Sequence, residues 1–168
     1  MITTPLSPGN GERVMAANDT KKAWNIAESI GVCFLSTGDN QYPMAALVRK
    51  EEEAIYFLTD AGSEKIGEIG NGRSIQLTFA DKGSNEYLFV EGDATVSNDR
   101  DKIHDLWSAA AKAYWDSADD PAIRLVTFYP TRAEYWDGPN KIVAVSKMLF
   151  AAATEGRLDM GANRKTSM

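Results

Sequence analysis

Apolar and polar residues alternate along much of this chain with the period of two that marks a half-buried strand. The clearest stretch is Glu86–Ser97. Leu88, Val90, Gly92, Ala94 and Val96 fall on one face; Tyr87, Phe89, Glu91, Asp93 and Thr95 fall on the other. Ile75, Leu77 and Phe79 alternate likewise within 74–79. Small residues at 92 and 94 on an inward face suit a tightly curved barrel strand. Further strands are predicted at 32–37, 42–50, 54–59, 123–129 and 132–137, the last two divided by Pro130. The polar turn Gly38-Asp39-Asn40-Gln41 between the first two is a hairpin signal.

The helical period appears in fewer places. A helix is predicted from Asn18 or Asp19 to Ile30, with Ala23, Trp24, Ala27 and Ile30 on its apolar face and Gly31 ending it. A short one spans 63–69. A third covers 98–114, with Ile103, Leu106, Trp107, Ala110 and Tyr114 as its stripe and Asp99 and Asp101 at its start. A last amphipathic helix carries Ile142, Val145, Met148, Leu149 and Ala152 and closes at Gly156. Residues 1–17 read as a flexible N-terminal arm, 18–156 as the folded domain and 157–168 as a polar, loose C-terminal tail. Strands joined by tight polar turns favour antiparallel pairing. The economical architecture is therefore mainly β: an antiparallel barrel with peripheral helices. A doubly wound sheet would need regular helical crossovers, which are missing.

Composition narrows the partners. The chain has 168 residues, which suits one domain able to bury a sizeable core. One cysteine excludes an internal disulfide, and one histidine excludes a His-rich metal site within the chain. The formal net charge of −6 argues against nucleic acid or an anionic membrane as partner. No apolar run approaches a bilayer span, and the N-terminus lacks a secretory pattern. A cytoplasmic protein is the expectation.

Candidate chemistry is concentrated at 54–69. Ala54, Ile55, Tyr56, Phe57 and Leu58 form an apolar strand that turns at Gly62 into a short helix. Thr59, Ser63 and Lys65 then surround backbone N–H groups at the helix start, a cradle suited to phosphate. On these residues alone, simple turn and cap roles for Thr59, Ser63 and Lys65 remain the commoner reading.

Several segments, in consistent order over about 20–165, resemble one family. They are Tyr42-Pro43-Met44; Phe57-Leu58-Thr59-Asp60 with Ser63 and Lys65; Val90-Glu91-Gly92-Asp93-Ala94; Asp99-Arg100; Leu106-Trp107; Asp119-Asp120-Pro121; and Ala133-Glu134-Tyr135-Trp136-Asp137. Thr154-Glu155-Gly156 and Gly161-Ala162-Asn163 resemble the family's tail. The chain resembles the bacterial general stress proteins of the pyridoxamine 5'-phosphate oxidase-like, FMN-binding split-barrel superfamily. The resemblance implies a homodimeric split barrel with flavin, FMN or FAD, at the dimer interface. It places backbone contacts to the ring at Ala45, Ala46, Leu47 and Val48 and at Leu58, Thr59 and Asp60. It gives the phosphate to Thr59, Ser63 and Lys65, and it brings Trp107 and Trp136 toward the ring from the partner subunit.

Two departures from the family pattern stand out. Tyr42 occupies a position where relatives often carry arginine before Pro-Met, and the phosphate-binding arginine of the true oxidases falls near Ala46. Lys65 then becomes the main cation, with Arg49, Lys50 or Arg73 as helpers. The oxidases also use a C-terminal arginine and histidine on their substrate, and no histidine follows Trp136 here. Oxidation of pyridoxamine phosphate is therefore not expected.

Other residues carry plainer readings. Trp24 and Cys33 belong in the core, and Trp107 on its apolar stripe favours burial. Trp136 sits on a mixed face suited to an interface. His104 is a solvated surface histidine, and the acidic runs 51–53 and 119–120 are solvated turns. Two functions remain open: a flavin-dependent oxidoreductase acting in bacterial stress physiology, and a module that binds or senses flavin or haem without turnover. A haem variant would need an axial ligand, and His104 is the only histidine available.

Overall fold

In the computed structural model, residues 10–70, 74–138 and 162–168 are described. Helix α1 (Asn10–Ile30) leads into β1 (Val32–Ser36), β2 (Gln41–Ala45), β3 (Leu47–Arg49) and β4 (Ala54–Asp60). Helix α2 (Glu64–Gly70) precedes β5 (Ile75–Asp81) and β6 (Glu86–Ser97). Helix α3 (Arg100–Leu106), β7 (Ile123–Asp137) and β8 (Ala162–Thr166) complete the order. The strands form one antiparallel sheet in the order β2-β1-β5-β6-β7-β4-β3, with β8 also on β7.

The expected strand at 42–50 is two strands, and the division at Ala46 closes the sheet on itself. β2 pairs with β1 at one end of the sheet, while β3 pairs with β4 at the other. Only Ala46 separates them, its N–H donating to the Gly31 carbonyl at 2.8 Å. The two edges of the curled sheet are thus consecutive in sequence, in keeping with the tightly curved antiparallel barrel that the alternation and small inward residues suggest.

Pro130 does not divide β7. Glu91 pairs with Arg132 and Gly92 with Pro130, so Thr131 is an extra residue in a bulge. A bulge is where a strand tolerates proline, because no ladder N–H is required there. The Thr131 hydroxyl donates to the Glu91 carbonyl at 3.1 Å across the same irregularity.

Two apolar clusters flank the sheet. The main one packs Leu35, Phe57, Leu77, Phe79, Val90 and Phe128 beneath Ala23, Trp24, Ile26 and Ala27 of α1. The second joins Ala54, Tyr56, Ile103, Leu106, Ile123 and Leu125, with Leu47, Leu58, Trp107 and Trp115 against it. Adjacent β4 residues therefore serve opposite clusters, as the strand period requires. Trp24 and Cys33 are buried as expected, and burial pushes the Cys33 thiol up to about 12.

Other boundaries differ from expectation. Helix α1 begins at Asn10 rather than at 18 or 19; Glu12, Arg13, Met15, Ala16 and Ala17 are all good helix formers. Helix α3 is capped by Asp99, whose carboxylate accepts the Lys102 N–H, and ends at Leu106 rather than near 114. Trp107 leaves in an extended conformation, which lets Trp107 and Trp115 both pack on the second cluster. Arg100 then ties down the following loop, donating to the Asp120 carbonyl at 2.7 Å and to the Ile123 carbonyl at 2.9 Å. The polar stretch 162–166 is a strand on β7, not loose; β7 supplies its backbone partners, and Lys165 approaches Glu134 at 3.6 Å. The helix expected at 142–156 lies outside the described residues.

Candidate functional site: a cavity between the sheet's meeting edges

Where β2 and β3 part, β4 runs beside them and α2 begins just beyond its end. A cavity of about 310 Å³ opens there. The β2–β3 side supplies Pro43, Met44, Ala45 and Leu47; β4 and the α2 turn supply Leu58, Thr59, Asp60, Ser63 and Lys65. The loop after α3 adds Ser108, Ala110, Ala111, Tyr114 and Trp115. The volume falls at the small end of ligand sites.

The polar groups converge at one end. The Thr59 and Ser63 hydroxyls lie 3.3 Å apart and can share a hydrogen bond. Thr59 is buried and Ser63 half-buried. The Lys65 ammonium sits 3.5 Å from the Met44 sulfur and 5.2 Å from the centre of the Tyr42 ring. Among the described residues Lys65 forms no salt bridge. Desolvation in the cavity wall lowers its pKa below the ordinary lysine value. A partly buried cation without a counter-charge is a place where an anion gains more than it would at the surface.

The backbone ahead of α2 is tied up in the turn. The Gly62 N–H donates to the Asp60 carboxylate at 2.8 Å and the Ser63 N–H to the Asp60 carbonyl at 3.0 Å. The Ala61 N–H donates to the Ala122 carbonyl at 2.7 Å. Asp60 therefore spends its carboxylate on the turn that aims α2, and these three N–H groups ahead of the helix are engaged within the protein.

Seven of the expected contact residues line this cavity: Ala45, Leu47, Leu58, Thr59, Asp60, Ser63 and Lys65. Ala46 and Val48 alternate away from it into the main cluster. Trp107 packs on the second cluster, and Trp136 stands 40% exposed on β7; neither lines the cavity within one protomer. Of the expected helper cations, Arg49 and Lys50 are not in the wall, and Lys50 pairs instead with Glu28 at 2.6 Å. Arg73 lies outside the described residues.

Tyr114 and Trp115 are the aromatics that sequence reasoning missed. Their rings are 5.8 Å apart and tilted by 49°, and Tyr114 is 80% exposed at the rim. The signal available is Tyr114 itself, which the apolar period puts on a helical stripe, whereas α3 stops eight residues earlier at Leu106.

His104 is exposed and meets the Asp119 carboxylate at 2.6 Å, away from the cavity. Among the described residues no group of three or more His, Cys, Asp or Glu is close enough to hold a metal ion. No helix of the described residues is long and apolar enough to cross a membrane.

Comparison with solved structures places the fold. A candidate general stress protein 26 from Jannaschia sp. CCS1 superposes with a TM-score of 0.79 at 24% identity, covering 91% of this chain and 99% of that one. The general stress FMN/FAD binding protein from Xanthomonas citri matches with a TM-score of 0.62 at 23% identity, over 70% of this chain and 87% of that one. A pyridoxamine 5'-phosphate oxidase-related, FMN binding protein from Nostoc punctiforme PCC 73102 matches with a TM-score of 0.52 at 13% identity, over 98% of each. A comparison of the sequence with curated proteins finds no match. The family described as pyridoxamine 5'-phosphate oxidase like matches residues 18–159. With that match over most of its length, and with the curled antiparallel sheet its relatives share, the chain belongs to the pyridoxamine 5'-phosphate oxidase-like family.

Proposed function

We propose that this protein binds FMN, or FAD, in the cavity between β2–β3 and β4, as a homodimer, and serves as a flavin-dependent oxidoreductase of the general stress type. The observation that carries the reading is Lys65, a desolvated ammonium without a carboxylate partner among the described residues, beside two hydroxyls. Thr59, Ser63 and Lys65 hold the phosphate. Ala45, Leu47 and Leu58 give an apolar wall of strand backbone and side chains against which a planar ring can lie. A bound flavin supplies the electron transfer, and the protein supplies binding, orientation and exclusion of water.

Dimerisation is supported by the outer face of the sheet. Val32 and Phe34 on β1 are 57% and 51% exposed, and Phe34 pairs across to Pro43. Pro43 lines both the cavity and a depression bounded by Val32 and Phe34, so the apolar face adjoins the site. A second protomer on that face would extend a cavity that is small for a whole flavin. It would also give Trp136 a partner to meet. Sedimentation is expected to give a dimer with flavin bound. A monomer that binds FMN at full affinity would remove the interface from the proposal.

Lys65→Ala is expected to weaken FMN binding by about 1.5–3 kcal/mol, roughly ten- to a hundredfold in Kd, as loss of a charge-assisted hydrogen bond does. Titration followed by flavin fluorescence reads it. Unchanged affinity would take Lys65, and with it the phosphate assignment, out of the site. A protein that binds FMN yet is never reduced by a nicotinamide donor would favour the non-catalytic module.

A further inference from the structure

Tyr42 stands outside the cavity lining, yet it is built into the wall behind Lys65. Its ring is half-buried against the main cluster, and the Lys65 ammonium lies over it at 5.2 Å. Its hydroxyl donates to the Glu68 carboxylate at 3.2 Å. That carboxylate is held by two more donors from the β1–β2 turn: the Asn40 amide at 2.7 Å and the Thr37 hydroxyl. Glu68 lies on α2, one turn after Lys65, so the cluster locks the helix carrying the cation to the hairpin carrying the ring. A cation held over an aromatic face is attracted to it without being neutralised. A carboxylate in the same place would pair with Lys65 and compete with any incoming anion.

Resting on the reading of Lys65 as the phosphate-binding cation, we infer that Tyr42 is a positioning residue for ligand selectivity: its ring, clamped by Glu68, seats the Lys65 ammonium at the cavity wall and so favours phosphorylated over unphosphorylated flavins. The Met44 sulfur, 3.5 Å from the ammonium, is the other side of that seat. A lysine seated in this way has less side-chain freedom to lose when the anion arrives. The ring supplies this effect and the hydroxyl aims the ring, so the two parts separate by mutation.

The test compares Kd for FMN with Kd for riboflavin, which lacks the phosphate, in wild type, Y42L, Y42F and K65A. Y42L is expected to lower the preference for FMN roughly three- to tenfold while riboflavin affinity holds. Y42F, which keeps the ring, is expected to stay within about twofold of wild type. A merely structural role would weaken both ligands together and leave the preference for FMN unchanged. If K65A lowers the preference and Y42L does not, the positioning role is overturned while Lys65 keeps the phosphate. If K65A leaves the preference unchanged, the phosphate reading itself falls. Should Y42L fail to fold, the wild-type protein still decides: the Lys65 ε-methylene proton resonances are expected to be shifted upfield by the ring. Their appearance at the position of a solvated lysine would overturn the inference.

Discussion

Gly92→Ala is expected to destabilise the fold by about 3 kcal/mol or more, the upper range for forcing an atom into a filled site. A Cβ at residue 92 would lie 2.2 Å from the Tyr129 carbonyl oxygen, 2.9 Å from the Tyr129 carbonyl carbon and 2.8 Å from the Phe128 ring. Two of those three neighbours are backbone atoms, so no side-chain rotation relieves the clash. Nor can β6 move aside easily. Gly92 pairs with Ile75 of β5 on one side and with Pro130 of β7 on the other, at the bulge. The bulge brings the two chains together, and glycine is what the close approach admits. For a domain of this size the loss corresponds to a fall in Tm of roughly 6–12 °C. Denaturant unfolding of the flavin-free protein is the measurement, since bound ligand would add its own stabilisation. A loss under about 1 kcal/mol would mean that β6 and β7 slide apart at the bulge without penalty.

That glycine was legible as a curvature device because β6 alternates without interruption. Its twelve residues run as the pattern predicts, with Leu88, Val90 and Gly92 buried. Where alternation is broken or replaced by a continuous apolar run, local sequence stops being decisive. The stretch Met44-Ala45-Ala46-Leu47-Val48 reads as one strand, and nothing local says that its halves pair at opposite ends of the sheet. Strand β8 has no apolar alternation at all; it exists because β7 offers it a register. Pro130 is a strand breaker by propensity and a bulge residue in context, and only the partner strand distinguishes the two.

The site shows the same division. Thr59, Ser63 and Lys65 lie within seven residues of one another, so a turn into a helix brings them together wherever that turn sits. Ser108, Tyr114 and Trp115 reach the same cavity from a loop about 50 residues away. Their place depends on where α3 stops, and no glycine or proline marks that point in the sequence. Arg100 holds the loop through backbone carbonyls. Such contacts have no sequence signature, because every residue has a carbonyl.

Phe57→Ala is expected to lower stability by about 3–5 kcal/mol, the range for emptying a buried phenylalanine site. Phe57 has no exposed surface and sits in the main cluster on β4, between β3 and β7, paired with Val126 of β7. Phe79, Leu77 and Phe128 of the same cluster belong to strands held on both sides by ladder hydrogen bonds, so they have little freedom to collapse into the space. The residues that follow on the same strand, Leu58 and Thr59, line the cavity, which joins the core and the site through one stretch of backbone. That backbone is fixed by six consecutive pairings with β7, from Ile55 to Asp60, and none of them uses the Phe57 side chain. Flavin affinity of the folded variant should therefore fall far less than it does in Lys65→Ala, while the unfolding midpoint falls far more. Equilibrium denaturation of the flavin-free protein, paired with FMN titration well below the variant's Tm, separates the two quantities. If affinity drops in step with stability, the strand ladder does not hold the cavity's shape by itself, and core packing beneath β4 has to be counted among the groups that position the phosphate.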